Sequence, residues 1–327
     1  MNNQFKLIKT PTGKISSFLG EYGMLECLCV ADYGKEANMH ADFLGLHGDI
    51  HEVKSELMPL EEKMVITIST QYGCRSKCKF CDAPKVGAGM NVTDKDLNAQ
   101  IAFMIALSGQ YKTKRLNIHY ARMGEPTFNL RLLPQARQLK DFTRKLIDAD
   151  VVHPVVSTML PNNNCILEPF LKEWCYIKNI DFGGDAGLQF SINSTDEVQR
   201  DDLFGGSSLN LFQISKLAET LPEPKGRKYT LNFPLFEGAH CDGYALSRLF
   251  NPEYWIVKIT PIHAATEAKK NGYCDGEFVY KAAEESCKEH GFDVIVFIPS
   301  KDEEEGRITC GNVCLADGDG YANIQTW

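Results

Sequence analysis

No run of about 18 apolar residues occurs anywhere in the chain, so nothing in it reads as a membrane-spanning helix. The N-terminus, MNNQFKLIKTPTG, lacks the apolar stretch of a signal peptide. Cationic excess is missing too: 35 Lys and Arg stand against 43 Asp and Glu, a formal net charge of −8. That is a poor footprint for gripping naked nucleic acid through its phosphates. Short basic runs do occur, Lys112, Lys114 and Arg115, then Lys225, Arg227 and Lys228. Runs this short read as solvated turns rather than binding patches. Clear periodicity is absent from the polar stretch Ala31 to Glu62. It holds His40, His47, Asp49, His51 and Glu52, but their spacing matches no recognised metal site, and a solvated loop is the expectation.

What remains is ample for folding. A length of 327 residues with 43% hydrophobic content suffices for one large α/β domain or two ordinary ones. Twelve cysteines in a chain with no secretory leader point to reduced thiols in the cytoplasm, some with metal or catalytic use.

From Met64 onward the pattern alternates between strand and helix. Strands are expected at 65–69, 116–120, 152–157, 188–192, 229–235, 255–259 and 294–299. Helices are expected after Thr93, over 132–149, over 167–174, over 207–220 and over 278–290. Such βα units imply a parallel sheet. Six of them fit a partial (β/α)6 TIM-like barrel, with chemistry at the C-terminal ends of the strands. Residues 1–63 read as an N-terminal extension containing a strand near Met24 to Val30, and 64–327 as the barrel domain.

Three cysteines, Cys74, Cys78 and Cys81, follow the first barrel strand in QYGCRSKCKFC. Three thiolates on one tight loop can hold three irons of a [4Fe–4S] cubane and leave the fourth without a protein ligand. That open iron can chelate the amino and carboxylate groups of S-adenosylmethionine. One electron then cleaves the sulfonium and releases a 5′-deoxyadenosyl radical. A zinc loop or three buried thiols are the alternatives; zinc prefers four ligands in paired clusters, and no second CxxC follows.

The string ISTQYGCRSKCKFCDAPKVG resembles the cluster loop of the RlmN/Cfr-type radical S-adenosylmethionine methyltransferases, which methylate an adenine of ribosomal RNA or, for some members, transfer RNA. Six further segments resemble family motifs in the same order: NVTDKDLNAQ, MGEPTFN, VVSTMLP, LQFSINSTDEVQRDDL, VKITPIH and TCGNV. The resemblance implies a radical-enzyme partial barrel. It also implies a [4Fe–4S] cluster, S-adenosylmethionine, and an electron donor such as flavodoxin or ferredoxin. Gly124 and Glu125 of MGEP, with Ser157, Ser191, Ile192, Asn193 and His263, are the implied contacts to S-adenosylmethionine. Ser157, Ser191 and Asn193 could equally cap following helices. Cys310 of TCGNV matches the cysteine that carries a methyl group to the substrate, a task suited to a nucleophilic thiolate. Glu26, in ECLCV, matches a glutamate placed in proton transfer at the substrate adenine.

Three departures stand beside the resemblance. The family's second essential cysteine lies seven residues before the first cluster cysteine, where this chain has Thr67. Cys27, Cys29 or Cys314 could take its place. The family's N-terminal RNA-binding domain does not fit in the roughly sixty residues before the barrel. Glu303, Glu304 and Glu305 lie close before Cys310, an acidic run that phosphate should avoid. The expectation is a monomeric cytoplasmic RNA adenine methyltransferase working through S-methyl-Cys310. A radical enzyme acting on a peptide or small metabolite is the alternative, and a non-enzymatic iron–sulfur or zinc regulator the alternative of another class.

Overall fold

A computed structural model of the chain describes residues 6–10, 12–31, 59–262, 265–273, 277–297 and 324–326. Most of the polar 31–62 stretch, His263, Cys310, Cys314 and the acidic run 303–305 lie outside the described residues.

The strands in chain order are β1 (Lys6–Thr10), β2 (Gly13–Gly20), β3 (Gly23–Ala31), β4 (Lys63–Ile68), β5 (Gln71–Gly73), β6 (Ala88–Asn91), β7 (Lys112–Tyr120), β8 (Asp148–Thr158), β9 (Gly187–Ser191), β10 (Tyr229–Leu235), β11 (Trp255–Pro261), β12 (Asp293–Val296) and β13 (Ile324–Thr326). The main helices are α1 (Asp94–Ser108), α2 (Leu167–Tyr176), α3 (Glu197–Leu203), α4 (Leu211–Glu219) and α5 (Glu277–Glu289). Eleven strands form one sheet in the order β12-β11-β10-β9-β8-β7-β4-β3-β2-β1-β13. From β12 to β4 every neighbouring pair is parallel. Six crossovers therefore link seven parallel strands, and the sheet stays open, as a partial barrel should. On the far side of β4 the pairing turns antiparallel, so β1–β3 extend the same sheet, with Leu28 opposite Thr67 and Ala31 opposite Met64.

Parallel strands covered on both faces usually read as continuous apolar runs. Here they alternate. Met64, Ile66 and Ile68 of β4 and Leu116, Ile118 and Tyr120 of β7 are buried against the helical layer. Lys63, Val65 and Thr67, then Arg115, Asn117 and His119, take the other face. That face curls into a polar lumen: the His119 imidazole is pushed down to about 3 by loss of water and by the charges of His153, Lys258 and Lys63. Those residues come from β8, β11 and β4, so the curvature brings distant strands around one interior.

Helix α1 begins where the sequence indicates, with the Thr93 hydroxyl accepting from the Asp96 N–H at 3.3 Å. It buries Leu97, Ile101, Met104 and Ile105 and ends at Gly109 with φ +76°. Two helices differ from expectation. The 132–149 segment forms two short helices, Leu132–Arg137 and Leu139–Thr143, and β8 already begins at Asp148, because Asp148 and Ala149 pair with Lys112 and Thr113 of β7. The expected 207–220 helix starts only at Leu211, where Asn210 forms a reciprocal capping box with Gln213. No helix among the described residues is long and apolar enough to cross a membrane.

Candidate active site

The cysteine loop leaves the sheet at the C-terminal end of β4. β5 pairs antiparallel with β6, and Cys74 N–H donates to Gly87 O at 3.2 Å, which closes the loop on itself. Gly73 has φ +79°, and a Cβ there would meet the Gly87 backbone at 2.1 Å, so this crossing needs glycine. Lys79 N–H donates to Leu203 O at 2.9 Å, tying the loop to the end of α3, while Cys81 N–H donates to Cys78 O at 3.3 Å. Phe80 packs edge-on against Phe204, ring centres 5.7 Å apart, and fixes the same contact. All three thiols are partly exposed. Ser76 N–H donates to the Cys74 sulfur at 3.4 Å, and the Ser76 hydroxyl is buried with no partner. Among the described residues no three His, Cys, Asp or Glu side chains close on one point that a single ion could occupy. A cubane spreads its thiolates over separate corners, which suits three cysteines on one loop.

Gly124 and Glu125 stand beyond the C-terminal end of β7, beside this loop. Gly124 has φ +95°, and a Cβ would meet Gln71 Cβ at 2.5 Å and its backbone N at 2.7 Å. Glycine is therefore needed here because Gln71 of β5 approaches the turn this closely. Glu125 is buried. Its Oε1 accepts from Thr127 N–H at 3.1 Å and from the Thr127 hydroxyl at 2.7 Å, and its Oε2 accepts from Met159 N–H at 2.9 Å. Burial pushes this carboxyl up, against the pull of those donors. Glu125 thus bridges the ends of β7 and β8.

Ser157 and Ser191 lie at the C-terminal ends of β8 and β9, half-buried on the lumen face. Neither they nor Asn193 caps a helix: α3 is capped by Asp196, which accepts from Gln199 N–H at 2.7 Å. Asn193 adopts φ +65°, unusual for a residue with a side chain, and its buried Oδ1 has no partner. Ile192 is buried, and its N–H donates to Asn232 O at 3.0 Å, so its side chain serves the core. Arg200 of α3 closes this wall. It donates to Leu209 O at 2.6 Å and to the Ser208 hydroxyl at 2.6 Å, while its Nε is buried and unpartnered. Burial pushes its guanidinium down to about 10, against Glu197 and Cys78, which places it within electrostatic reach of the cysteine loop.

Glu26 is fully buried on β3, and its Oε1 accepts from Arg122 Nε at 2.7 Å and from Arg122 Nη2. Arg122 precedes Met123 and Gly124, so the pair stands behind the MGEP turn. Ser69, just before the loop, donates its hydroxyl to Glu26 O at 2.6 Å. Thr67 lies in β4, opposite His119 and Leu28. Of the cysteines considered in its place, Cys27 and Cys29 are buried, and burial pushes the Cys29 thiol up to about 12, away from the thiolate that exchange needs. Gln71, Ser76, Arg122 and Arg200 were not singled out in the sequence. Gln71 and Ser76 adjoin or occupy the cysteine string, and Arg200 lies within the matched segment LQFSINSTDEVQRDDL, so position relative to the motifs was the available signal.

The structure places the three thiols of the cysteine loop, a buried acid and an orphaned amide oxygen at one end of the parallel strands. No family model matches the chain. It is 26% identical over 200 residues to the dual-specificity RNA methyltransferase RlmN 2 of Myxococcus xanthus, covering 57% of this chain and 47% of that protein. It is 23% identical over 237 residues to a probable dual-specificity RNA methyltransferase RlmN of Clostridium botulinum, covering 71% of this chain and 64% of that one. The chain thus spans about half to two thirds of the length of these curated relatives. A solved radical SAM methyltransferase from Sphaerobacter thermophilus superimposes with a TM-score of 0.59 at 16% identity, covering 91% of this chain and 77% of that one. The fold is therefore that of a radical S-adenosylmethionine methyltransferase, and the chain has curated homologues named RlmN, in line with its motifs.

Proposed function

We propose that this protein is a radical S-adenosylmethionine enzyme that methylates an RNA adenine through Cys310. The observation that carries the reading is the meeting of the Cys74–Cys81 loop with Glu125 and the unpartnered Asn193 Oδ1 at the same strand ends. An orphaned buried acceptor and a buried carboxylate at the same ends of the parallel strands are what a bound cation-bearing nucleoside would satisfy. When bound, the cluster and S-adenosylmethionine supply a carbon radical able to abstract hydrogen from an unactivated methyl group.

The chain's own residues then have distinct tasks. Cys74, Cys78 and Cys81 hold the cluster, with the Ser76 N–H steadying the Cys74 sulfur. Glu125 accepts from the ammonium of S-adenosylmethionine, a charge-assisted bond strengthened by burial. Gly124, Ser157, Ser191, Asn193 and His263, with the backbone of Ile192, complete the contacts to its carboxylate and ribose. The Cys310 thiolate would take a methyl from one molecule of S-adenosylmethionine by displacement, releasing S-adenosylhomocysteine, and present it as a thioether carbon. Glu26, with Arg122 as its counter-ion, moves the proton at the substrate base. Residues 1–63 serve as a β-extension of the barrel domain 64–327. We place the enzyme in the cytoplasm, as a monomer fed by flavodoxin or ferredoxin.

Methyl-labelled S-adenosylmethionine and a ribosomal RNA fragment test the reading. Tryptic mass spectrometry is expected to find label on Cys310 before labelled adenine appears, and Cys310→Ala is expected to abolish product while keeping the cluster. Normal turnover by Cys310→Ala with no label on Cys310 would exclude methyl transfer and leave a radical enzyme acting on a peptide or small metabolite.

A further inference from the structure

Beside the cysteine loop lies an open groove of about 610 Å³ lined by Tyr22, Arg75, Ala88, Met90, Asn91 and Arg131. Its arginines differ from the basic side chains at the other end of the molecule. The basic side chains at the other end of the molecule are matched by acids: Lys112 with Asp148, Lys114 with Glu62, Arg115 and Arg227 with Asp185, and Lys228 with Asp293. The two arginines of the groove are not. Arg75 donates from Nε and Nη2 to Gly89 O at 3.2 and 2.8 Å and lies over the Phe128 ring at 5.0 Å, so it is held in place, and among the described residues no carboxylate pairs with it. The exposed Arg131 guanidinium makes no hydrogen bond or ion pair among the described residues. Tyr22, Met90 and the neighbouring Leu130 are 55%, 46% and 49% exposed. Glu21, next to Tyr22, is the acid at the rim.

Exposed aromatic, methionine and arginine side chains together are the composition of a protein-binding surface. A small patch of this kind suits the brief encounters of electron-transfer partners, which bury the least area of the specific complexes. Two guanidiniums are few for holding an RNA backbone, whose affinity comes from many phosphate contacts. Arg75 belongs to the cysteine loop itself, between Cys74 and Cys78.

We propose that this groove docks a small acidic protein that carries one electron to the cluster. The proposal rests on the reading of the cysteine loop given above and adds to it the surface through which the site is supplied. On docking, one electron leaves the carrier, which is oxidised, and reaches the cluster, which is reduced by one; no bond is made or broken. Positive charge on the acceptor steers an acidic carrier and orients it, so the effect is on encounter and affinity and weakens with salt.

The test uses the full chain, reconstituted with iron and sulfide, and oxidised flavodoxin as the probe. Wild-type protein is expected to bind it, with affinity falling as salt rises. Arg131→Glu is expected to weaken binding at least tenfold and to flatten the salt dependence, and Tyr22→Ser to weaken it less. Lys172→Glu, a charge reversal of the same size on α2, is expected to leave binding unchanged. Iron content and the rate of reduction by dithionite are expected to be equal in all four proteins, which shows that fold and cluster are intact. Binding by Arg131→Glu equal to wild type, or an equal loss in Lys172→Glu, would overturn the proposal. So would an Arg131→Glu protein that keeps flavodoxin but loses a short RNA hairpin, since the groove would then belong to RNA. Failure of the underlying site reading shows separately, as absence of iron uptake before flavodoxin is added, and overturns the proposal with it.

Discussion

The two ends of the parallel strands are built on opposite principles. At the N-terminal end Asp185 gathers three neighbours through four contacts: Arg115 donates from Nη1 at 3.2 Å and Nη2 at 2.9 Å, Arg227 from Nε at 2.8 Å, and His153 Nδ1 lies 3.1 Å from the same carboxylate. Arg115 Nε in turn donates to Asn117 Oδ1 at 3.1 Å. These residues come from β7, β8 and the entries to β9 and β10, so one polar network laces four strands. At the C-terminal end three buried polar atoms, the Ser76 hydroxyl, Asn193 Oδ1 and Arg200 Nε, lack hydrogen-bond partners, against Asp181 Oδ2 at the entry to β9. Leu160 and Asn193 are the two described non-glycine residues with positive φ, +58° and +65°, and both sit at this end. A satisfied network is what a fold uses for stability. Unsatisfied polar atoms and strained backbone persist where a ligand is to be held.

The comparison breaks most readily at the cysteine loop. Replacing Cys74, Cys78 and Cys81 with alanine is expected to remove the cluster entirely, read as iron, sulfide and visible absorption after anaerobic reconstitution, whereas Asp185→Asn is expected to retain it in full. A full cluster in the triple variant would end the assignment.

Arg122 gives the next largest effect, on stability. Arg122→Ala strands the fully buried Glu26 carboxylate, a change expected to cost about 3–5 kcal/mol in chemical denaturation. Arg122→Met with Glu26→Leu, which removes both charges, is expected to recover much of that loss. Equal losses in the two proteins would mean that the pair is not coupled.

Glu125→Gln keeps an oxygen for Thr127 but removes the charge. It is expected to weaken S-adenosylmethionine binding by about 1.5–3 kcal/mol, the worth of one charge-assisted bond, measured by calorimetry. Unchanged affinity would assign Glu125 to bridging β7 and β8 alone.

The smallest effect is at the other end and depends on pH. Burial acting alone would raise the Asp185 carboxyl, but the hydrogen bonds from His153 and Arg115 and their charges hold it well below the usual carboxylate range. Burial pushes the His153 imidazole down, partly opposed by Asp185. Both groups have folded values below their unfolded ones, so unfolding takes up protons and acid destabilises through each. The His153 contribution sets in as pH falls below about 6.5, and the Asp185 contribution is complete above about 4 and fades below it. Thermal melts of wild type and Asp185→Asn are expected to differ most near neutrality and to converge in acid. A constant difference across that range would remove the network from the stability account.

How much of this was legible in the sequence follows from distance along the chain. The cysteine loop, MGEP and the start of α1 are local: their ligands, turn glycine and Thr93 cap lie within a few residues of one another. The parallel sheet was legible because each strand repeats an apolar pattern. The 132–149 segment misread as one helix because pairing with β7 overrides its local pattern at Asp148. Glu26 and Arg122 lie 96 residues apart, Gln71 and Glu125 54, and Arg115 and Asp185 70. Those contacts exist only once the sheet has curled, so no local signal announces them. The serines at the ends of β8 and β9 were legible as positions but not as roles, since only the structure shows Asp196 capping α3 in their stead.

The most direct measurement is the release of 5′-deoxyadenosine. Reconstituted wild-type protein, reduced with dithionite and given S-adenosylmethionine, is expected to form 5′-deoxyadenosine in amounts that rise with cluster content, and Cys78→Ala is expected to form none. A protein that holds a full cluster and S-adenosylmethionine yet yields no 5′-deoxyadenosine would contradict the account.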